Sequence, residues 1–143
     1  MDTNEPARHP AGGNEILYKE LSYKIVGLAM RVHRKLGYGF LEKVYENALM
    51  VLFRREGIEA KQQVPITVYF EEEVVGNYYA DILVEDKVVL EIKPARHPAG
   101  GSVENIIDAH IDQTLNYLKA TGLRLAIILN FSKEKFEYKR IVK

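Results

Sequence analysis

Hydrophobic and polar residues follow two different periods along this chain, and the period predicts which segments are helices and which are strands. Apolar residues spaced three or four apart predict amphipathic helices, whereas alternating or short unbroken apolar runs are typical of strands. The segments with the helical period are 15–36, about 41–56 and about 103–121. The segments with the strand period are 64–70, 74–83, 88–93, 124–131 and 136–142. This order (helix, helix, three strands, helix, two strands) predicts a mixed α/β or α+β fold, in which helices flank a mostly antiparallel sheet of about four to five strands.

The hairpin formed by the second and third predicted strands carries the most informative charged residues. Its polar loop, 85–87, has three residues. A loop of this length pairs the strands so that Asp81 lies directly opposite Glu91 on the same face of the sheet. Tyr79 and Lys93 are then their neighbours on that face. Two carboxylates facing each other across a sheet repel unless a cation lies between them, and Mg²⁺ prefers oxygen ligands. The alternative is an ordinary solvated face, because most Asp and Glu side chains on strands are exposed.

The third predicted helix presents a second polar surface. His110, Gln113 and Tyr117 are three and four residues apart, so they lie on one face. Because this helix follows the carboxylate hairpin in the chain, its polar face is a candidate for lining the same cleft. A plain amphipathic surface helix explains the spacing more simply.

An eight-residue sequence, Pro-Ala-Arg-His-Pro-Ala-Gly-Gly, occurs twice, at 6–13 and 94–101. Two prolines and two glycines are incompatible with the interior of a helix or strand, so both copies are predicted to be loops. The second copy reads as a loop insertion between the third strand and the third helix. The alternative is that its Arg96 and His97 contact a substrate phosphate.

Composition limits the classes of protein to which the chain can belong. Its 143 residues suffice for one domain with its own core, and we predict a flexible tail over 1–14 and a single domain over 15–143. The 20 basic and 20 acidic residues give no net charge, which argues against nonspecific coating of nucleic acid but leaves a local basic groove open. The absence of cysteine excludes disulfides and thiolate metal sites and fits a reducing cytoplasm. No apolar run approaches the ~20 residues of a membrane span, so we expect no membrane contact.

Three motifs, taken together, resemble a known family. They are Gly-Phe-Leu-Glu-Lys-Val-Tyr at 39–45, Ala80-Asp81 followed by Glu91-Ile92-Lys93, and the polar face of the third helix leading into Asn-Tyr-Leu-Lys-Ala-Thr-Gly at 116–122. In this order and spacing they resemble the PD-(D/E)XK nuclease superfamily, and more closely its small branch called GxxExxY proteins. The resemblance spans roughly residue 15 to the C-terminus, with alanine at position 80 where the superfamily name has proline.

The resemblance implies a restriction-endonuclease-like core and a Mg²⁺- or Mn²⁺-dependent nuclease that acts on DNA more readily than on RNA. It implies that Asp81, Glu91 and the backbone carbonyl of Ile92 bind the metal. Glu42 would complete the acidic cluster, and Lys93 would orient the attacking water and stabilise charge on the phosphate. The remaining implied site residues are Gln113 and Tyr117, which support the site or contact the nucleic-acid backbone, and Tyr45 and His110 behind them.

A different class of function stays open at this point. The neutral charge and the octapeptide directly after Lys93, where the family runs straight into the helix, favour a nuclease-fold module that binds nucleic acid or a protein partner with little or no activity. The complete set of acidic residues and lysine favours the nuclease. Many related nucleases act as dimers, so the resemblance also allows a homodimer.

Overall fold

The computed structural model describes residues 16–93, 106 and 108–143. Within these residues the chain forms three helices and five strands in the predicted order. Their bounds are α1 Lys19–Leu36, α2 Glu42–Arg55, β1 Ala60–Phe70, β2 Glu73–Val84, β3 Val88–Lys93, α3 Asp108–Thr121, β4 Leu125–Asn130 and β5 Glu137–Val142. Both copies of the octapeptide, and with them the predicted tail and loop insertion, lie outside the described residues.

The five strands of the described residues form one sheet in the order β1-β2-β3-β4-β5. β3 and β4 are parallel and the other neighbouring pairs are antiparallel, which confirms a mixed α/β fold with a mostly antiparallel sheet. Neighbouring parallel strands need a crossover connection, and α3 lies in the segment that provides it. The carboxyl ends of β3 and β4 therefore meet at the same edge of the sheet.

Helices pack on both faces of the sheet and create two apolar layers. The larger layer joins α1 and α2 to one face, the α1–α2 face, through side chains such as Leu49, Leu90 and Ile127. The smaller layer joins α3 to the opposite face, the α3 face, through side chains such as Leu118 and Val89. Val89 and Leu90 are consecutive and point to opposite layers, as the pleat of a strand requires. None of the described helices is long and apolar enough to cross a membrane.

The central strands are buried from both sides. All residues of β4 are buried, as are those of β3 except Lys93. Continuous apolar runs are typical of strands covered on both faces, which is why these two segments show runs rather than alternation in the sequence. Each fully buried Leu or Ile side chain contributes about 1.5–3 kcal/mol to folding, so this pair is a rigid support for groups at its carboxyl end.

The starts of α1 and β1 each differ by four residues from those predicted. α1 begins at Lys19, directly after Tyr18, whose φ of 50° is left-handed and therefore not helical. β1 begins at Ala60, so Pro65 lies inside the strand rather than near its start. Because β1 is an edge strand, the missing N–H of a proline can face away from the neighbouring strand without breaking the pairing. The longer strand matters for the site because it brings Gln63 into the sheet.

Candidate active site

β2 and β3 separate where the charged residues lie. Their pairing ends with Ile82 opposite Leu90, so continuing the register would set Asp81 opposite Glu91 as predicted. In place of a further backbone bond, the Ile92 N–H donates a hydrogen bond of 2.8 Å to Oδ2 of Asp81. The Asp81 carboxylate thus satisfies a backbone donor of β3 and is held between the two strands, at a place that we call the fork.

The three-residue loop of the hairpin sets this register, as predicted. Val84 pairs with Val88 across the loop. Glu85 and Asp86 both have left-handed φ angles, of 54° and 55°, which match the twist of a tight hairpin although they are costly for residues other than glycine. The Glu85 N–H donates to the Glu59 carbonyl oxygen at 2.9 Å, so the loop is also tied to the chain before β1.

Strand β2 changes faces at Asp81. Ala80 lies in the layer of the α3 face, whereas Ile82 lies in the layer of the α1–α2 face, although residues two apart in a regular strand share a face. On β1, Gln63 lies between the residues that pair with Ile82 and Ala80, across from Asp81, and has a left-handed φ of 51°. At this irregularity a carboxyl oxygen of Asp81 lies within 4.8 Å of one of Glu42 on α2. The fork therefore opens toward the N-terminus of α2.

The loop before α2 brings Glu42 to the fork. Gly39 has a φ of 111°, a conformation that strongly favours glycine. The Tyr45 hydroxyl donates to the Gly37 carbonyl oxygen at 2.7 Å and accepts from the Phe40 N–H at 3.2 Å. Tyr45 is fully buried and lies one turn after Glu42. Tyr45 therefore joins the loop to the first turn of α2 and fixes the position from which the Glu42 side chain reaches the fork.

Burial raises the pKa of each of the three carboxyl groups at the fork, Glu42, Asp81 and Glu91. Burial raises the pKa of Glu91 from 4.5 to about 9, and the charge of Asp81 adds to the increase. Burial raises the pKa of Glu42 to about 8, again with a contribution from Asp81. Burial is also the largest cause of the raised pKa of Asp81. The charge of Lys93 opposes these shifts at Glu42 and Glu91, so the lysine lies within electrostatic reach of both. Such a group of carboxyls is poised to bind a cation, which would favour their charged forms.

One oxygen at the fork has no hydrogen-bond partner among the described residues. Glu91 is 5% exposed, and its Oε2 is the one buried side-chain polar atom of the described residues that lacks a hydrogen bond. An unpaired buried polar atom is costly, so this oxygen is a candidate to bind a ligand from outside the described residues. The atoms around it that could act as metal ligands are carboxylate oxygens, which suit hard divalent cations. The described residues of the fork therefore fit a metal such as Mg²⁺ or Mn²⁺.

The polar face predicted for α3 lies at the same place. The pKa of His110 is lowered first by burial and then by the charge of Lys93. Gln113 Nε2 donates to the Tyr117 hydroxyl at 3.0 Å. Burial and then the charge of Glu91 raise the pKa of Tyr117 to about 12. Because Tyr117 also packs in the apolar layer of the α3 face, it links the fork to the core.

Comparison with known proteins agrees with this geometry. A family model described as the PD-(D/E)XK nuclease superfamily matches residues 19–141. The chain belongs to this superfamily. The crystal structure of SSO0001 shares the fold, with a TM-score of 0.54 and 18% sequence identity. That match covers 88% of this chain and 58% of SSO0001, so the chain spans little more than half of that protein's length. No curated protein matches the chain.

Membership of the PD-(D/E)XK nuclease superfamily confirms the broader resemblance, whereas the GxxExxY branch stays a prediction. Among the residues predicted for the site, the structure brings together Glu42, Asp81, Glu91 and Lys93 at the fork. The residues on α3 lie beside them, and Tyr45 lies behind Glu42. Ile92 enters through its N–H, and a metal-binding role for its carbonyl stays a prediction.

Three further residues at or beside the fork were not predicted from the sequence. Glu46 is 1% exposed, and one of its oxygens lies within 4.8 Å of oxygens of Glu42 and Asp81. Its position one helical turn after Glu42 is a signal that sequence alone contains. Gln63 had no such signal, because β1 was predicted to begin after it. Tyr78 lies with its ring centroid 5.5 Å from that of Tyr117, whereas the neighbouring Tyr79 is 57% exposed.

Proposed function

We propose that this member of the superfamily is a Mg²⁺-dependent nuclease, with Mn²⁺ as a substitute, that hydrolyses phosphodiester bonds in nucleic acid and prefers DNA to RNA. The observation that carries the proposal is the buried Oε2 of Glu91, which lies beside Asp81 and Glu42 and has no hydrogen-bond partner in the part of the chain that the structure describes. Burying several like charges at one place is costly, and such arrangements are a feature of functional sites. Membership of a nuclease superfamily supplies the class of reaction.

The proposed metal ligands are the carboxylates of Asp81 and Glu91 with the backbone carbonyl of Ile92, and Glu42 completes the acidic cluster. Asp81 is already oriented for this task, since the Ile92 N–H holds its Oδ2 at 2.8 Å. When bound, the metal supplies a water of lowered pKa and positive charge against the phosphoryl oxygens. The protein contributes a fixed, largely buried set of oxygens that needs little rearrangement to receive it.

Lys93 supplies positive charge next to these oxygens. Its charge acts on Glu42 and Glu91, and also on His110 across the fork. In the proposed reaction its ammonium group orients the attacking water and stabilises the negative charge that develops on the phosphate. Lys93 is the last residue of β3, the strand buried between β2 and β4, so its backbone is well fixed.

Tyr117 and Gln113 complete the proposed site from α3. Burial raises the pKa of Tyr117 from 10.0 to about 12, so its hydroxyl stays protonated at neutral pH and well above it. Gln113 Nε2 donates to the hydroxyl oxygen, which leaves the hydroxyl proton available for an acceptor. We assign this proton to a phosphate oxygen of the nucleic-acid backbone.

The proposal is tested by cleavage assays on single-stranded, duplex and branched DNA and on the same forms of RNA, with and without divalent metal. Titration of Mn²⁺ by calorimetry accompanies each assay. We expect Asp81→Ala to lose metal binding and cleavage together. Lys93→Ala should keep metal binding and lose cleavage by about a thousandfold, the size typical of removing one group that stabilises transition-state charge. Lys87→Ala, an exposed lysine at the other end of β3, is the matched control and should behave as wild type.

Each outcome discriminates between functions. Normal cleavage by Lys93→Ala would refute the role given to the lysine. Metal binding by the wild type without cleavage of any form would favour the nuclease-fold module with little activity. A wild-type chain that binds neither Mg²⁺ nor Mn²⁺ would remove the basis of the proposal.

A further inference from the structure

Glu46 looks at first like a further ligand of the proposed metal. One of its oxygens, one of Glu42 and one of Asp81 all lie within 4.8 Å of one another. Glu46 lies one helical turn after Glu42 and is 1% exposed, so it is the more buried of the two glutamates on α2. Its hydrogen bonds, however, give it a different role.

Both oxygens of Glu46 are already engaged by positive or hydrogen-bond-donating groups. Oε2 accepts from Lys43 Nζ at 3.1 Å and from Gln62 Nε2 at 2.7 Å. Oε1 accepts from Gln63 Nε2 at 3.1 Å. A metal ion bound to this carboxylate would have to displace these donors and would lie close to the Lys43 ammonium, which repels it. Glu91, by contrast, has a buried oxygen with no hydrogen-bond partner within 16–93, 106 and 108–143.

Gln63 connects Glu46 to the fork. Its Nε2 carries two protons, and it donates to Glu46 Oε1 at 3.1 Å and, more weakly, to Asp81 Oδ1 at 3.5 Å. The Ile92 N–H holds the other oxygen of Asp81. The Asp81 carboxylate is therefore held at both oxygens, by the backbone of β3 on one side and by Gln63 on the other.

The backbone of Gln63 supports the same conclusion. Its φ of 51° is left-handed, and a residue other than glycine keeps this conformation only where its surroundings demand it. Gln63 lies on β1 between the residues that pair with Ile82 and Ala80, across from Asp81, at the point where β2 changes faces. The strained backbone thus aims the Gln63 side chain at Glu46 and Asp81, and Glu46 is the group that anchors it.

We infer that Glu46 is a positioning residue that acts through Gln63 on the Asp81 carboxylate, and that it is not a metal ligand. This inference rests on the proposed function, because the role of Asp81 in binding metal belongs to that proposal. It adds to that proposal a glutamate and a glutamine whose task is to orient a ligand.

A double-mutant cycle in Mn²⁺ affinity tests the inference. We expect Glu46→Ala and Gln63→Ala each to weaken Mn²⁺ binding by about tenfold, the low end of the effect of removing a partner of a metal ligand. Because the two act through one connection, the double variant should also lose only about tenfold. A loss near a hundredfold in the double variant, the product of the single effects, would show independent action and overturn the inference.

A conservative substitution separates orientation from ligation. Glu46→Gln keeps a side-chain oxygen that can accept from the Gln63 amide, but it removes the charge that a ligand contributes. We expect its Mn²⁺ affinity to stay within about threefold of wild type, a small change beside the tenfold or more typical of a lost partner. Asp81→Asn, the matched change at a proposed ligand, should lose binding. Equal losses in Glu46→Gln and Asp81→Asn would make Glu46 a ligand after all.

Thermal unfolding keeps the inference testable if the wild type proves to bind no metal. Such a result would refute the proposed function by itself. The connection from Glu46 through Gln63 to Asp81 would then be measured by the melting temperatures of Glu46→Ala, Gln63→Ala and the double variant. If the shift of the double variant equals the sum of the two single shifts, the inference is overturned. The variants should fold, because Lys43, Gln62 and Gln63 are exposed and can turn to water when Glu46 is removed.

Discussion

Glu91→Gln in the metal-free protein is the sharpest test of the electrostatics at the fork. Glu91 is 5% exposed, and its Oε2 has no hydrogen-bond partner among the described residues. Glutamine has nearly the same shape, carries no charge and can donate to the neighbouring carboxylates. We therefore expect the change to stabilise the metal-free protein at neutral pH while it weakens the binding of metal.

The size of this effect follows from the pKa of Glu91, which folding raises from 4.5 to about 9. At pH 7 the unfolded chain has this group ionised, so folding must take up a proton. The cost corresponds to the roughly 2.5 pH units between 4.5 and 7, or about 3 kcal/mol, and it is the same for any folded pKa well above 7. Glu91→Gln avoids this cost, so its free energy of unfolding at pH 7 should be higher by up to about 3 kcal/mol.

The sign of the pH dependence follows from the same shift. A carboxyl group with a raised pKa binds more protons in the folded chain than in the unfolded chain. Its contribution to stability is fully present below pH 4.5 and is lost as the pH rises toward about 9. Between about pH 5 and pH 8, the free energy of unfolding of the wild type should fall relative to that of Glu91→Gln by about 1.4 kcal/mol per pH unit.

Urea denaturation at several pH values in this range, with a chelator present, measures the difference. Glu73→Gln is the matched control, because Glu73 is an exposed glutamate at the start of the same hairpin and should change the free energy of unfolding little. Millimolar Mg²⁺ should then stabilise the wild type more than Glu91→Gln. Parallel stability curves for wild type and Glu91→Gln from pH 5 to pH 8 would refute the assignment of a buried, proton-binding carboxyl to this position.

Three further changes probe the frame around the site. Tyr45→Phe should lower the free energy of unfolding by about 1–3 kcal/mol, because it removes the hydroxyl that hydrogen-bonds to the backbone of Gly37 and Phe40. Urea denaturation measures this change, and an unchanged midpoint would contradict the prediction. Ile127→Ala, in fully buried β4, should cost about 2–5 kcal/mol in the same experiment, and a cost below 1 kcal/mol would mean that this layer is loosely packed. Deletion of 94–101 should leave the melting temperature nearly unchanged if this octapeptide is a loop insertion, whereas a large fall would assign it a structural role.

Much of the fold could be predicted because local patterns and global packing agree. Apolar periodicity gave the order of helices and strands, and the continuous runs of β3 and β4 correspond to strands covered on both faces. The hairpin register followed from the length of one polar loop, because side chains alternate with a period of two. The start of β1 could not be predicted in this way, since proline ends a strand in the interior of a sheet but is tolerated at its edge.

Some features of the candidate site could likewise be predicted from the sequence, and others could not. Glu42, Asp81, Glu91 and Lys93 were identifiable because their types and spacing resemble a motif. The structure adds that Asp81 accepts the Ile92 N–H, which no alternation of residues predicts, because this bond exists only where two strands part. Whether a residue is buried beside others is a property of packing, and that property raises the pKa values at the fork.

The sequence by itself determined the order of the elements, the register of the hairpin and the residue types available for chemistry, because these depend on neighbours along the chain. Only the tertiary structure decided that β2 leaves β3 at Asp81, that Gln63 connects Glu46 to the fork, and that one oxygen of Glu91 is buried without a partner in the described part of the chain. These features arise where α2, β1, β2 and β3 meet, and contacts between distant segments are not encoded in any local period.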